Sequence, residues 1–126
     1  MILTRKFSAS SQDYLETILE LSEGQEHVHS IDVAAHLGVS RASVNRALKL
    51  LKDHGYIEQE RYSSITLTAE GRRVGQEVLK RHEALKRFLV DVLGVSEQSA
   101  EDDACLMEHS LSAESLKKLQ DYLARI

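Results

Sequence analysis

Apolar residues recur at helical spacing over most of this chain, and short alternating runs interrupt them once. Tyr14, Leu15, Ile18, Leu19 and Leu21 predict a first helix from about Gln12 to Ser22, with Ser10 or Ser11 as its cap. Gly24 and the polar Gln25 and Glu26 end it. Ser30 is a good N-cap for a short second helix filled by Ile31, Val33, Ala34, Ala35 and Leu37. Gly38 follows where a left-handed turn residue is needed, because it has no Cβ to clash. Ser40 caps a third helix whose buried stripe is Val44, Ala47, Leu48 and Leu51, and Gly55 closes it. The period then changes. Tyr56 to Glu60 and Ile65 to Leu67 are β-prone runs flanking the polar Arg61 to Ser64, which predicts a hairpin. Thr68 caps a long helix from Ala69 to about Val92, with Val74, Val78, Leu79, Leu85, Phe88, Leu89 and Val92 as its stripe. Gly94 breaks it, Ser96 opens a helix to about His109, and Ser112 caps a last one carrying Leu116, Leu119, Tyr122 and Leu123.

This order predicts a mainly α chain: a winged helix-turn-helix followed by a helical part. Composition narrows the class. The chain has 126 residues, 42% hydrophobic and 29% charged, with one cysteine and no proline. That excludes a disulfide scaffold, collagen and disorder. No apolar run approaches the roughly 20 residues that cross a bilayer, and MILTRKFSASSQDY has no long apolar core of a secretory leader. A reduced, cytoplasmic setting is the expectation. The net charge of −4, from 20 acids against 16 bases, counts against a general nucleic-acid binder. DNA, however, responds to the local face and not to the total.

The third helix supplies such a face. Arg41, Ala42, Ser43, Asn45 and Arg46 point outward near its start, with Lys49 and Lys52 further along. Arginine pairs with guanine and asparagine with adenine in the major groove, while serine and lysine hold phosphates. The helix start at Ser40 adds free N–H groups and a partial positive charge. Arg61 and Tyr62 stand at the hairpin tip, where a wing would meet the DNA. Between Val28 and Leu67 the five bases Arg41, Arg46, Lys49, Lys52 and Arg61 face the four acids Asp32, Asp53, Glu58 and Glu60. From Arg41 to Lys52 there is no acid at all. The alternative is that these charges only solvate an exposed helix.

A second set of residues has metal-ligand chemistry. Asp13 and Glu16 share a face of the first helix, and Cys105, Glu108 and His109 converge at i, i+3 and i+4 on a later one. His82 lies mid-way along the long helix. Carboxylate, imidazole and thiolate together suit a first-row transition metal rather than calcium or magnesium. Plainer readings exist for each: Asp13 in a capping box with Ser10, Glu16 exposed, His82 bonded to a carbonyl, Cys105 in the core, and Glu108 with His109 a surface pair. His27, His29, His36 and His54 are expected to face solvent or sit in turns.

Several stretches together carry a resemblance: S-x-x-D-Y-L-E-x-I from Ser10 or Ser11 through Ile18, V-A-A-H-L-G-V-S-R-A-S-V-N-R-A-L-K-L-L, G-Y-I-E with L-T-x-E-G, R-H-E at Arg81 to Glu83, and D-A-C-L-M-E-H-S-L-S at Asp103 to Ser112. In order and spacing the chain resembles the diphtheria-toxin-repressor and manganese-transport-regulator family of metal-dependent repressors, from Ser11 to about Leu123. The resemblance implies a DNA-binding domain over residues 1–71 and a helical metal-binding and dimerisation domain over 72–126, with metal held between them. It implies Asp13, Glu16, His82, Cys105, Glu108 and His109 as ligands. Asp13 is similar to the manganese-responsive branch and Cys105 to the iron-responsive branch, so the set is a hybrid. Lys86 and Glu101 depart from the ancillary site of the iron branch, and the SH3-like domain of many iron regulators is expected to be missing. Thiolate is softer than carboxylate, which favours iron(II) over manganese(II), with one or two ions per subunit.

The resulting expectation is a homodimeric, non-enzymatic repressor that binds double-stranded operator DNA when loaded with metal, with no membrane and no small organic substrate as partner. A metal-independent winged-helix regulator is the alternative. A small metalloenzyme is disfavoured, because no positioned nucleophile or substrate-cleft motif is evident.

Overall fold

The computed structural model describes residues 9–25, 27–60 and 64–126. These divide into two compact units, Ala9–Gln76 and Glu77–Ile126.

In the first unit the apolar periodicity builds three helices, α1 (Ala9–Leu21), α2 (Ser30–Leu37) and α3 (Arg41–Asp53), each packed on the other two. Leu15, Ile18, Val33, Val44, Leu48 and Leu51 are all buried at the centre of this bundle. Two starts differ from the sequence-based expectation. α1 is already helical at Ala9, so Ser10 and Ser11 lie inside it and do not cap it. α2 begins at Ser30 itself. His29 holds the cap position in extended conformation, without a side-chain hydrogen bond, and Ser30 is buried. The α2–α3 turn follows expectation: Gly38 is left-handed at φ 66°, and the Ser40 hydroxyl accepts from the Ser43 N–H at 3.1 Å.

The hairpin is β2 (Ile57–Gln59) paired antiparallel with β3 (Ser64–Leu67), in the register Ile57–Leu67, Glu58–Thr66, Gln59–Ile65. A third strand, β1 (Val28–His29), was not expected. It pairs with β3 on the other side and sets buried Val28 opposite buried Ile65. Two residues are too few to show alternation, which is why the pattern is silent there.

The base of the hairpin is locked to the start of α4 (Ala69–Arg87). The Thr68 N–H donates to the Tyr56 carbonyl at 3.1 Å, its hydroxyl donates to the Gly55 carbonyl at 2.7 Å, and that hydroxyl oxygen accepts from the Gly71 N–H at 3.0 Å. A Cβ on Gly71 would lie 1.8 Å from the Tyr56 carbonyl oxygen, so only glycine permits this approach.

In the second unit, α4 continues to Arg87 and then widens into a π-helical turn, Phe88–Val92, with the Leu93 N–H reaching the Phe88 carbonyl at 3.2 Å. α5 (Glu97–Met107) and α6 (Ala113–Arg125) follow, capped as expected by Ser96 and Ser112. α5 ends at Met107, close to the expected end near His109, and Glu108 is its C-cap residue. Leu85, Leu89, Ala100, Ala104 and Leu123 are buried in this unit, and the Phe88 and Tyr122 rings meet edge-on at 6.4 Å. No helix among the described residues is long and apolar enough to cross a membrane.

Candidate nucleic-acid interface and metal centre

α3 separates its chemistry by face. Val44, Ala47, Leu48 and Leu51 are buried, while Ser40, Arg41, Ala42, Asn45, Arg46, Lys49 and Lys52 are exposed and Ser43 is half-buried. The Arg46 guanidinium donates to the Ser43 hydroxyl at 3.3 Å, one turn earlier. Two groups able to read a base or hold a phosphate are thereby kept together at the start of the helix. Arg61 and Tyr62 lie outside the described residues. His27, His29, His36 and His54 are all exposed, as expected.

The second unit does the opposite and places charge inside. Glu108 is fully buried although it is ionisable. Its Oε2 lies 3.0 Å from His82 Nδ1 and its Oε1 lies 3.4 Å from His109 Nε2. Its backbone carbonyl accepts from the Arg81 guanidinium at 3.1 Å. Burial pulls the Arg81 guanidinium below its ordinary value, opposed by the charges of Glu77 and Glu108. Glu108 and His109 are therefore not a surface pair, and His82 faces the carboxylates of Glu101 and Glu108.

The other candidates are positioned more simply. Cys105 is half-buried on α5, three residues before Glu108, and the helical conformation persists to Glu108, so the i, i+3 relation holds. Asp13 and Glu16 stand three apart on α1 of the first unit, both half-buried.

The cluster fits a divalent ion by its own chemistry. Glu108 Oε1 is buried and accepts no hydrogen bond among the described residues, so an acceptor is left without a donor in a dry place. Two imidazoles and a carboxylate are a donor set suited to first-row transition metals.

Comparison with known proteins agrees. Residues 6–65 match the family model of the iron-dependent repressor N-terminal DNA-binding domain, and residues 68–126 match that of the iron-dependent repressor metal-binding and dimerisation domain. The chain belongs to the iron-dependent repressor family. The members of this diphtheria-toxin-repressor and manganese-transport-regulator group are transcriptional regulators, not enzymes. A helix-turn-helix transcriptional regulator of Methanocaldococcus jannaschii is 35% identical, over 94% of this chain and 95% of its own length. The transcriptional regulator MntR of Escherichia coli is 42% identical, over 82% of this chain and 66% of its own length. Among solved structures, a manganese-dependent transcriptional repressor in complex with manganese is 30% identical, with a TM-score of 0.83. The match covers 90% of this chain but 52% of that one, so the chain spans about half of that structure. The winged helix-turn-helix and the helical dimerisation part expected from the sequence are thus the family's own architecture.

Sequence reasoning passed over two contributors. Lys86 and Glu101 entered it only as departures from a family pattern. In the structure Glu101 contacts His82 Nε2, and its other oxygen accepts from the Lys86 ammonium at 3.1 Å. The signal was the spacing of His82 and Lys86, one turn apart on α4. Burial pushes the Glu101 carboxyl up, but the Lys86 hydrogen bond and the charges of His82 and Lys86 outweigh it and hold it below its ordinary value.

Proposed function

We propose that this chain is a metal-activated transcriptional repressor that binds operator DNA as a homodimer in the cytoplasm, with residues 1–71 reading DNA and 72–126 binding metal and dimerising. The observation that carries the metal reading is the buried Glu108 carboxylate set between His82 and His109. Asp13 and Glu16 from the first unit, with His82, Cys105, Glu108 and His109 from the second, are the proposed donors. The ion supplies positive charge that offsets repulsion among these anionic groups. The residues do the rest. Donors drawn from both parts make the position of α3 depend on whether they are satisfied, and a dimer must present two α3 helices at one half-site spacing.

Dimerisation is supported by the apolar side chains that the second unit leaves exposed, Leu93, Leu106, Met107, Tyr122 and Ile126. Ser40, Arg41, Ala42, Ser43, Asn45, Arg46 and Lys49 are the proposed DNA contacts on α3, with Arg61 and Tyr62 on the wing. The activating metal is iron(II) or manganese(II). Cys105 favours iron(II) through its soft thiolate, and the named relatives include manganese regulators.

The direct test is an anaerobic titration of metal-free protein with iron(II) and manganese(II), for the wild type and His109→Ala. Saturable binding that the substitution abolishes, with the fold retained, supports the reading. Equal binding by the variant removes His109 from the site, and no binding by the wild type favours a metal-independent winged-helix regulator.

A further inference from the structure

His82 is held from both sides. Its Nδ1 faces Glu108 Oε2 at 3.0 Å, toward the buried carboxylate and His109. Its Nε2 faces Glu101, on a different helix and half-exposed. Glu101 in turn is tethered by the Lys86 ammonium, which reaches it from one turn further along the helix that carries His82. The order Lys86, Glu101, His82, Glu108 runs as a chain from the surface into the buried site.

An imidazole can donate a lone pair to a metal from one nitrogen while the other keeps its proton and needs an acceptor. The acceptor decides which nitrogen is which. We propose that Glu101, anchored by Lys86, is the positioning residue that fixes His82: it takes the Nε2–H and so reserves Nδ1 for the metal. This rests on the metal reading above. Lys86 has two effects. It orients the Glu101 carboxylate, and it places a fixed positive charge on the Nε2 side of the ring, which opposes a second cation there. His82 then serves one ion, through Nδ1.

The test uses full-length protein with 15N-labelled histidine, loaded with 113Cd(II), and reads by NMR which His82 nitrogen is coupled to cadmium. Manganese(II) affinity is measured in parallel. The wild type couples through Nδ1. Glu101→Ala loses that preference, coupling through both nitrogens or through Nε2, and binds manganese(II) about tenfold more weakly. Glu101→Gln keeps an amide oxygen for the Nε2–H, so coupling stays at Nδ1 and affinity stays within about threefold. Glu101 is half-exposed, and the glutamine variant separates lost positioning from lost structure. Wild-type coupling through Nε2, or an alanine variant with Nδ1 coupling and unchanged affinity, overturns the positioning role and leaves the metal site standing. Absence of any cadmium coupling at His82 in the wild type overturns both.

Discussion

The two units put the same residue classes to opposite use. On α3 the charged side chains face outward and the stripe Val44, Ala47, Leu48 and Leu51 faces inward, so Arg46 is exposed and Leu48 is buried, with Leu50 the one large apolar side chain left exposed. At the end of α5 the order inverts: Leu106 is 74% exposed while Glu108 is 0% exposed. A helix that reads DNA needs only a solvated face on a firm apolar base. A carboxylate held away from water, as Glu108 is, is costly to keep without a partner. The first unit therefore rests on an apolar core, and the second also buries a polar cluster around Glu108.

The largest expected effect tests the apolar base. Leu48→Ala should lower unfolding free energy by about 2–5 kcal/mol in chemical denaturation, because the side chain is fully buried. A loss under about 1 kcal/mol would show that α3 does not lean on that core. Next comes the inverted region. Manganese(II) at about 100 times its dissociation constant should stabilise the wild type by about 2.7 kcal/mol and Glu108→Gln hardly at all, each measured against its own metal-free form. If metal stabilises both equally, the buried carboxylate is not a ligand. Smaller still, Arg46→Ala should weaken DNA binding by about 1–3 kcal/mol with metal affinity in the absence of DNA unchanged, measured by fluorescence anisotropy. An equal loss in both would erase the division of labour between the two regions.

The smallest effect concerns acid. The Glu101 carboxyl sits below its ordinary value, so the folded state holds its proton less tightly than the unfolded chain does. Its contribution is present above about pH 4.3 and is lost as pH falls through the lowered value. Glu101→Gln should therefore be less stable than the wild type at neutral pH, by at most about 0.5 kcal/mol given its exposure, with the gap closing in acid. Parallel pH–stability curves would show that the contacts with His82 and Lys86 are energetically silent.

These regions also differed in how much their sequence revealed. The α3 stripe, its Ser40 cap and the left-handed Gly38 were readable because local chemistry and tertiary packing ask for the same residues there. β1 was not readable, since Val28–His29 becomes a strand only through pairing with Ser64 and Ile65, far along the chain. Ser30 looked like a cap but is buried in the first turn of α2, where packing overrides a local preference. In the second unit the i, i+3, i+4 spacing placed Cys105, Glu108 and His109 on one face. It could not show that Glu108 is inside, because hydrophobic periodicity marks a core only where the core is apolar. Glu101 and Lys86 were visible only as departures from a family pattern for a related reason: their ion pair is a contact between α4 and α5.

The central claim is that metal at the buried cluster controls the exposed helix. The most direct measurement selects a DNA duplex from a random pool on manganese-loaded protein. Its affinity is then compared at fixed ionic strength with manganese(II), with iron(II) under anaerobic conditions, and in chelator. The account predicts that binding is at least about tenfold tighter with metal, a coupling of about 1.4 kcal/mol or more. Equal affinity in chelator would contradict it.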